Sequence, residues 1–275
     1  MIVPNAWDDA PAMDGGGRRM TTTITLAQSK GGSGKSSLVI GLASALHRSG
    51  RRTLILDLDE QRSVHDWLEE AGTAGNGPVS CEPRLRVEAI SGEQPAAMLR
   101  SVVDRVVKAA EEGYDFVLID TKGEAALVTA GIAASSDYVL CPTNGHLVEY
   151  EPVLRTYKGF AAALRHLSEG ADPRMHFRIV FNRIQPVESR EVRDARRSLS
   201  EALPSIFGIP ESSAINLAIS RGTTLDLIER EAMDRLERHA LHPKERERCR
   251  REALRCAKLL DAFDDVLKRL EERTT

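Results

Sequence analysis

The chain has 275 residues, of which 41% are hydrophobic, 29% are charged and 4% are aromatic, and its formal net charge is −3. This composition excludes wholesale disorder and a globally basic nucleic-acid-binding protein, so any DNA-binding surface has to be a local patch. The length allows one large α/β domain or two small ones, and no apolar run reaches the roughly 18 residues of a membrane-spanning helix.

Residues 1–20 contain acids and glycines but lack the apolar stretch of a secretory signal, so we expect a mobile leader. The cysteines show neither CxxC spacing nor a histidine at zinc-ligand spacing. They are Cys81, Cys141, Cys249 and Cys256. We therefore expect reduced thiols in a cytoplasmic protein.

Short β-branched or apolar runs then alternate with amphipathic segments. We predict strands over residues 21–28, 52–59, 85–90, 114–121, 137–143 and 177–184. We predict helices between and after them over residues 35–50, 64–72, 95–112, 123–134, 149–167 and 188–203. This alternation predicts an α/β fold with a doubly wound, mainly parallel sheet flanked by helices. After residue 210 only helices are predicted, and the last of them, at about 243–272, gives a C-terminal helical extension.

A glycine-rich loop follows the first predicted strand, where residues 29–37 read SKGGSGKSS. Strand, loop, Gly-Lys-Ser and helix in this order predict a phosphate loop that binds a nucleotide. Glycines allow backbone N–H groups to surround phosphate oxygens, and the following helix directs its positive end at them. Lys35 would reach the β and γ phosphates, and the Ser36 hydroxyl would bind Mg²⁺. The predicted nucleotide-binding residues here are Gly31, Gly32, Ser33, Gly34, Lys35, Ser36 and Ser37. The alternative is a merely structural glycine turn.

The loop departs from the general pattern in two places, because Ser29 replaces its first glycine and Lys30 precedes the others. This KGGxGK[ST] form resembles the deviant Walker loop of the ParA/MinD superfamily of dimerising ATPases. Residues 59–71 and 134–160 resemble plasmid-encoded ParA relatives of the VirC type. The resemblance implies that Lys30 reaches across an ATP-dependent homodimer to the partner's ATP, as a catalytic group supplied in trans. On its own, Lys30 would be read as a solvated loop lysine.

Carboxylates end two of the predicted strands. Asp57 and Asp59 point the same way, since strand side chains repeat every two residues. Asp120 ends the strand at 114–121, where a carboxylate can bind Mg²⁺ beside a phosphate loop. The resemblance implies that Asp59 positions the attacking water and that Asp57 supports the Mg²⁺ shell, with helix capping as the alternative. Thr121-Lys122-Gly123 replaces the family's Thr-Pro-Pro, which leaves the switching behaviour of this loop open.

The resemblance covers roughly residues 22–230. It implies that Asn182, in the strand VFNRI, reads the adenine and that Pro210, in an Ile-Pro segment, flanks it. ATP and Mg²⁺ are the implied cofactors. We accordingly expect a P-loop ATPase domain over residues 21–240, and over 241–275 a helix that packs on this domain or on the dimer.

Two helices are rich in basic residues. Residues 186–200 carry four arginines with acids between them, and residues 244–258 carry basic residues at steps of 4, 3, 4 and 3, which align on one helix face. We expect non-specific contact with the phosphates of double-stranded DNA. The candidate residues are Arg190, Arg193, Arg197, Lys244, Arg248, Arg251 and Arg255. The alternative is a solvated face paired to neighbouring glutamates. The Cys/Leu seam opposite the second stripe is expected to pack in the core or against another helix.

The resemblance implies a slow ATPase, stimulated by a ParB-like or relaxosome-like protein, that partitions plasmids or chromosomes or positions conjugative DNA on the nucleoid. One alternative is a small-molecule P-loop ligase or kinase, which needs a second substrate pocket that no polar constellation in the sequence specifies. Another is a MinD-like membrane positioner. Acids outnumber bases in residues 261–275, which would repel anionic lipid, so we expect no membrane partner.

Overall fold

The computed structural model describes residues 21–69, 84–91, 94–123, 127–206, 208–238 and 241–271. The predicted leader at 1–20 lies outside these ranges. Residues 124–126 of the helix predicted at 123–134 and residues 70–72 of that predicted at 64–72 also lie outside them.

Seven strands of the described residues form one parallel sheet in the order β3-β2-β4-β1-β5-β6-β7. Their bounds are β1 Thr22–Leu26, β2 Thr53–Asp57, β3 Leu85–Ala89, β4 Phe116–Asp120, β5 Tyr138–Thr143, β6 Phe177–Phe181 and β7 Ser205–Ile206. The predicted doubly wound sheet is thus confirmed, and the two-residue β7 is an addition that is too short to leave a sequence pattern. Because β1 lies between β4 and β5, its carboxyl end opens at the centre of the sheet edge, where ligands of such folds bind.

Helices cover both faces of the sheet. Their bounds are α1 Lys35–Arg48, α2 Ser63–Glu69, α3 Pro95–Glu111, α4 Leu127–Ala134, α5 Tyr150–Leu167, α6 Pro173–His176, α7 Arg190–Ala202, α8 Ala214–Arg221, α9 Leu225–Arg238 and α10 Pro243–Glu271. The helix predicted at 188–203 begins at Arg190, because the Ser189 side chain accepts from the N–H of Val192 and caps the first turn. The helical character predicted after residue 210 is confirmed by α8, α9 and α10.

The core forms two layers, since successive side chains of a buried strand face opposite sides of the sheet. On β4, Leu118 belongs to the cluster that includes α1, α8, α9 and α10, whereas Val117 and Ile119 pack with α3 and α4. On β5, Val139 and Cys141 face the layer of α4, α5 and α7.

The long helix α10 packs against α9 and α1. Its apolar seam, including Cys256, Phe263 and Leu270, is buried as predicted. The Phe263 ring fills the space above Gly41 of α1, where an added Cβ would lie 1.9 Å from its Cζ. Arg48 at the end of α1 also donates hydrogen bonds to Asp261 and Asp264 of α10. The helical extension therefore packs on the same face of the sheet as α1, the helix that follows the phosphate loop.

Gly41→Ala should lower the free energy of unfolding by about 1–3 kcal/mol, because the new methyl group would overlap the Phe263 ring. In a Phe263→Ala background the same change should instead stabilise by up to about 1 kcal/mol, since alanine is the better helix former. Urea unfolding of the four proteins in this cycle measures the change of sign.

Gly159→Ala in α5 is the matched control, because the nearest atom to an added Cβ there is 3.8 Å away. This substitution should stabilise the wild-type protein. Equal stabilisation by Gly41→Ala and Gly159→Ala would contradict the close packing of α10 on α1.

Candidate functional site

The glycine-rich loop joins β1 to α1 and adopts the conformation that its glycines were predicted to allow. Gly32 has φ 73° and Gly34, which precedes the first residue of α1, has φ 97°. Both values lie in the left-handed region, which costs glycine little. Side chains at Gly34 are also excluded sterically, since a Cβ there would lie 2.1 Å from Nδ2 of Asn182. The loop therefore presents backbone N–H groups and the positive end of α1 to an anion.

Ser29, which stands in place of the usual first glycine, ties the loop to α5. Its N–H donates to the Thr156 hydroxyl at 2.9 Å, and its own hydroxyl donates to the Pro152 carbonyl at 3.0 Å. The departure from the general pattern therefore has a structural consequence, because it anchors the start of the loop.

A cavity of about 490 Å³ lies over this loop at the carboxyl edge of the sheet. It brings together most of the residues predicted for nucleotide binding with one of the carboxylates predicted after β2. Its lining includes Gly31, Gly32, Gly34, Lys35, Ser36, Ser37 and Asp59. Ser33 instead is buried and does not line this cavity.

Lys35, Ser36 and Asp120 form the floor of the site. The Ser36 hydroxyl donates to Oδ2 of Asp120 at 2.7 Å. Burial raises the pKa of Asp120 to about 7, with Asp57 and Asp59 adding to the rise and the Ser36 hydrogen bond and Lys35 opposing it. Burial likewise lowers the pKa of Lys35, against the attraction of Asp120 and Asp59. Both groups are thus held away from water, and a nearby charge of opposite sign would stabilise the charged form of each.

Asp120 also fits the predicted role of binding Mg²⁺. Its Oδ1 is buried and has no hydrogen-bond partner among the described residues, and a carboxylate with an adjacent serine hydroxyl is the oxygen donor set that Mg²⁺ prefers. The described residues hold no cluster of three or more His, Cys, Asp or Glu that could bind a metal alone. Phosphate oxygens and water would therefore have to complete the coordination, as is usual for Mg²⁺ at phosphates.

Asp57 and Asp59 have different surroundings although both follow β2. Asp57 is buried, and its two oxygens accept from the N–H groups of Asp59, Val64 and His65 at 2.9–3.1 Å. It therefore fixes the start of α2 and the turn at residues 58–62, which we call the switch loop. Asp59 is only partly buried, accepts from the Gln61 N–H and lines the cavity. This geometry leaves Asp59 available for water, and a role of Asp57 at the metal stays a prediction.

The early lysine is paired within its own chain. Nζ of Lys30 lies 3.3 Å from Oε1 of Glu149, which is only 3% exposed, whereas the lysine side chain is 43% exposed. The other oxygen of Glu149 accepts from the Thr143 hydroxyl and the Asn144 N–H at 2.6 and 2.7 Å. Lys30 is thus held at the rim of the site, beside the end of β5.

The residues predicted to contact adenine lie next to each other. Asn182 follows β6, and its Nδ2 is buried without a partner among the described residues. Pro210 pairs with Ile184 in an isolated parallel bridge, so the Ile-Pro segment runs alongside the end of β6. An unpartnered amide donor beside Gly34 is suited to a hydrogen bond with a ligand.

Three further residues at the site were missed by sequence reasoning. Gly123 touches the phosphate loop, since a Cβ there would lie 3.0 Å from Cα of Gly31 and 3.2 Å from Nζ of Lys35. Glu149 holds Lys30, and Arg183 lines the cavity. For Gly123, the replacement of the family's proline by glycine was a signal that the sequence offered. The other two depend on contacts between loops that are distant in sequence.

The predicted DNA-contacting residues are exposed but fall on two surfaces. Arg190, Arg193 and Arg197 lie on α7, in the layer of α5, and Arg190 pairs with Asp194 at 3.6 Å. Lys244, Arg248, Arg251 and Arg255 lie on α10, in the opposite layer. Arg196, a further arginine of α7, instead packs over the Phe181 ring and pairs with Glu188.

Arg248, Arg251 and Arg255 line a cavity of about 620 Å³ between α8 and α10. Ser213, Asn216 and Ser220 of the α8 region also line it. One expected glutamate pair is present, between Arg251 and Glu247 at 3.5 Å, whereas Glu252 pairs with Arg221. The stripe is therefore one wall of a basic groove rather than a fully paired surface.

No helix in the described part of the chain combines the length and apolarity that crossing a membrane requires.

The parallel sheet, the phosphate loop on β1 and the carboxylates after β2 and β4 define a P-loop ATPase of the ParA/MinD superfamily. The family model for the VirC1 protein matches residues 21–263. The chain therefore belongs to the VirC1 family, as the resemblance of residues 59–71 and 134–160 predicted.

Individual proteins agree with this assignment. The chain is 30% identical to the VirC1 protein of Rhizobium radiobacter over 189 residues, which are 68% of this chain and 74% of that one. It is 28% identical to the chromosome-partitioning ATPase Soj of Thermus thermophilus over 171 residues, covering 58% and 67% of the two chains. A plasmid partition protein of Borrelia burgdorferi, solved with AMPPNP bound, has the same fold with a TM-score of 0.57 at 17% identity, over 89% of this chain and 98% of that one.

Asp57→Asn should lower the free energy of unfolding by about 1–3 kcal/mol, because an amide cannot accept all three backbone hydrogen bonds. Asp59→Asn should change it by less than about 0.5 kcal/mol, since that carboxylate is partly exposed. Urea denaturation of both variants measures the difference. Equal losses of stability would show that the two aspartates are not divided into a structural and a cavity-facing group.

Proposed function

We propose that this protein is a slow ATPase that forms an ATP-dependent sandwich homodimer, binds DNA non-specifically and positions plasmid, chromosomal or conjugative DNA in the cytoplasm, on the nucleoid. The observation that carries the proposal is the single cavity that joins the phosphate loop, buried Lys35 and Asp59 above the Ser36–Asp120 pair. Similarity to a VirC1 protein and to a chromosome-partitioning ATPase supports the DNA-related role. A ParB-like or relaxosome-like protein would stimulate hydrolysis and reset the cycle.

In this proposal, hydrolysis is an in-line attack of water on the γ-phosphate. Asp59 orients the water from the cavity wall, while Lys35 and the loop N–H groups hold the β and γ phosphates. Ser36 and Asp120 would hold Mg²⁺, which when bound neutralises charge on the phosphate oxygens. Asn182 and Pro210 would hold the adenine. Catalysis then depends mostly on positioning and charge.

Lys30 links nucleotide binding to assembly. In the single chain it pairs with the buried Glu149, so it must leave this carboxylate to reach a partner's nucleotide. A triphosphate carries more negative charge than one carboxylate and can compete for the lysine. The dimer would therefore be favoured only while ATP is bound.

Lys30→Ala should bind ATP but remain monomeric, because alanine cannot reach across the dimer to the partner's nucleotide. Light scattering with Mg²⁺ and ATP measures the mass, in an Asp59→Ala background that slows turnover. Lys35→Ala is the control and should bind no ATP by calorimetry.

Normal ATP affinity in Lys35→Ala would contradict the phosphate-loop assignment. A dimer of Lys30→Ala as stable as that of the parent protein would contradict the trans role of Lys30 alone.

DNA would lie along the groove between α8 and α10. This groove combines three exposed arginines with hydroxyl and amide donors, which are the groups that contact the phosphate backbone. The α7 arginines lie on the opposite layer, so a separate set of variants can distinguish the two surfaces.

Reversing the charge of Arg248, Arg251 and Arg255 to glutamate should weaken binding to double-stranded DNA of any sequence. It should also reduce the salt dependence by about 0.9 in log–log slope for each phosphate that the protein no longer neutralises. Fluorescence anisotropy at several salt concentrations measures both. Arg190, Arg193 and Arg197 changed to glutamate form the matched triple, and a larger loss there would move the DNA surface to α7.

One observation favours a second candidate, a small-molecule ligase or kinase. A cavity of about 660 Å³ lies on the other side of the switch loop and shares Asp59, Glu60 and Lys122 with the phosphate cavity. It would provide the second substrate pocket that the sequence did not specify. ATP turnover that rises with DNA and an activating protein, without any small substrate, would exclude this candidate.

For a MinD-like role, α10 would have to expose its apolar seam, which is buried.

A further inference from the structure

Arg183 is the residue after Asn182, in the loop that leaves β6. Its N–H donates to Oδ1 of Asn182 at 2.9 Å. The amide of Asn182 lies against Gly34, at the start of α1. The backbone of Arg183 is therefore placed beside the first turn of α1, from which the phosphate loop presents its N–H groups.

The backbone conformation of Arg183 is unfavourable for an arginine. Its φ of 56° lies in the left-handed region, where among the described residues only one other non-glycine residue, Arg62 with φ 49°, is found. Glycine would adopt this conformation without the steric penalty of a Cβ. Strained residues of this kind concentrate at ligand sites, where the side chain has a use that the backbone alone does not explain.

The side chain of Arg183 lies at the phosphate end of the site. It is exposed and lines the 490 Å³ cavity together with Gly34, Ser36 and Ser37, whereas Pro210, on the proposed adenine side, does not line it. No ion pair of the guanidinium is found within the described ranges.

The lysines near the cavity are paired or buried. Lys30 pairs with Glu149 and Lys122 pairs with Glu60, while Lys35 is buried on the floor. Arg183 is therefore an exposed guanidinium at the rim, and its planar fork of donors matches phosphate oxygens.

We propose that Arg183 binds the phosphate chain of the nucleotide held in its own subunit, as a further phosphate-binding residue. The inference rests on the nucleotide binding proposed above. Arg183 adds a cation from the β6–α7 loop to those of the phosphate loop, so the phosphates of the nucleotide would be contacted from two sides.

Arg183→Gly tests this role, because glycine relieves the backbone strain and removes the cation. The melting temperature of the nucleotide-free variant should be equal to or higher than that of the wild type. Its affinity for ATP, measured by calorimetry with Mg²⁺, should fall by about tenfold to a hundredfold, the effect of one charge-assisted hydrogen bond. The ATP affinity of Arg183→Lys should lie between those of the wild type and Arg183→Gly, since lysine retains the charge but lacks the planar pair of donors.

Arg62→Gly is the matched control, because it relieves the same kind of strain at a residue that lines the neighbouring cavity. It should bind ATP with wild-type affinity. Inorganic tripolyphosphate, which has no base, serves as a competitor and should lose affinity for Arg183→Gly by the same factor as ATP.

Wild-type ATP affinity of Arg183→Gly would overturn the inference, as would equal losses in Arg62→Gly, which would indicate an effect of loop flexibility. Undiminished binding of tripolyphosphate would also overturn it, by moving the contact to the base. Failure of the wild-type protein to bind ATP would instead refute the proposed function itself.

Discussion

The buried carboxylate of Asp120 is the constraint on which the rest of the site depends. One of its oxygens is bonded to Ser36, and the other has no partner among the described residues, while burial raises the pKa of the group to about 7. A buried charge of this kind is costly unless cations approach it. Lys35 lies near it, and a metal ion at the free oxygen would complete the compensation. The central strands fix this arrangement, because Leu26 of β1 and Asp120 of β4 are register partners.

The switch loop is tied to the same strand ends. Asp57 is the register partner of Asp120 across β2 and β4, and its carboxylate accepts three backbone N–H groups of the following turn and α2. Asp59 is carried by that turn and faces the cavity. A movement of the turn would therefore change the position of Asp59, while Asp57 keeps the start of α2 attached to the sheet. One aspartate holds the loop, and the other lines the cavity.

The sequence indicates the parallel sheet and the positions of Lys35, Ser36, Asp59 and Asp120, because each follows a continuous apolar strand and parallel strands end at one edge. It does not reveal the division of labour between Asp57 and Asp59, since their hydrogen bonds depend on the path of the backbone after β2. The sequence also does not indicate the roles of Glu149 and Arg183, because their neighbours lie in loops that meet only in the folded chain. For the α10 arginines, the helical spacing predicts a stripe, but only the packing of α8 beside α10 makes it a groove.

Two lysines beside the cavity are paired with carboxylates of the same chain. Lys30 is paired with Glu149 after β5, and Lys122 after β4 is paired with Glu60 after β2. A triphosphate entering this cavity would compete with both carboxylates for these lysines, and a lysine that changes partner carries its loop with it. Since the two pairs involve the ends of three strands and the phosphate loop, binding at one place can alter several loops together. The electrostatic competition that accommodates the ligand would thus also move these loops, and a second subunit or an activating partner could bind to the changed surface.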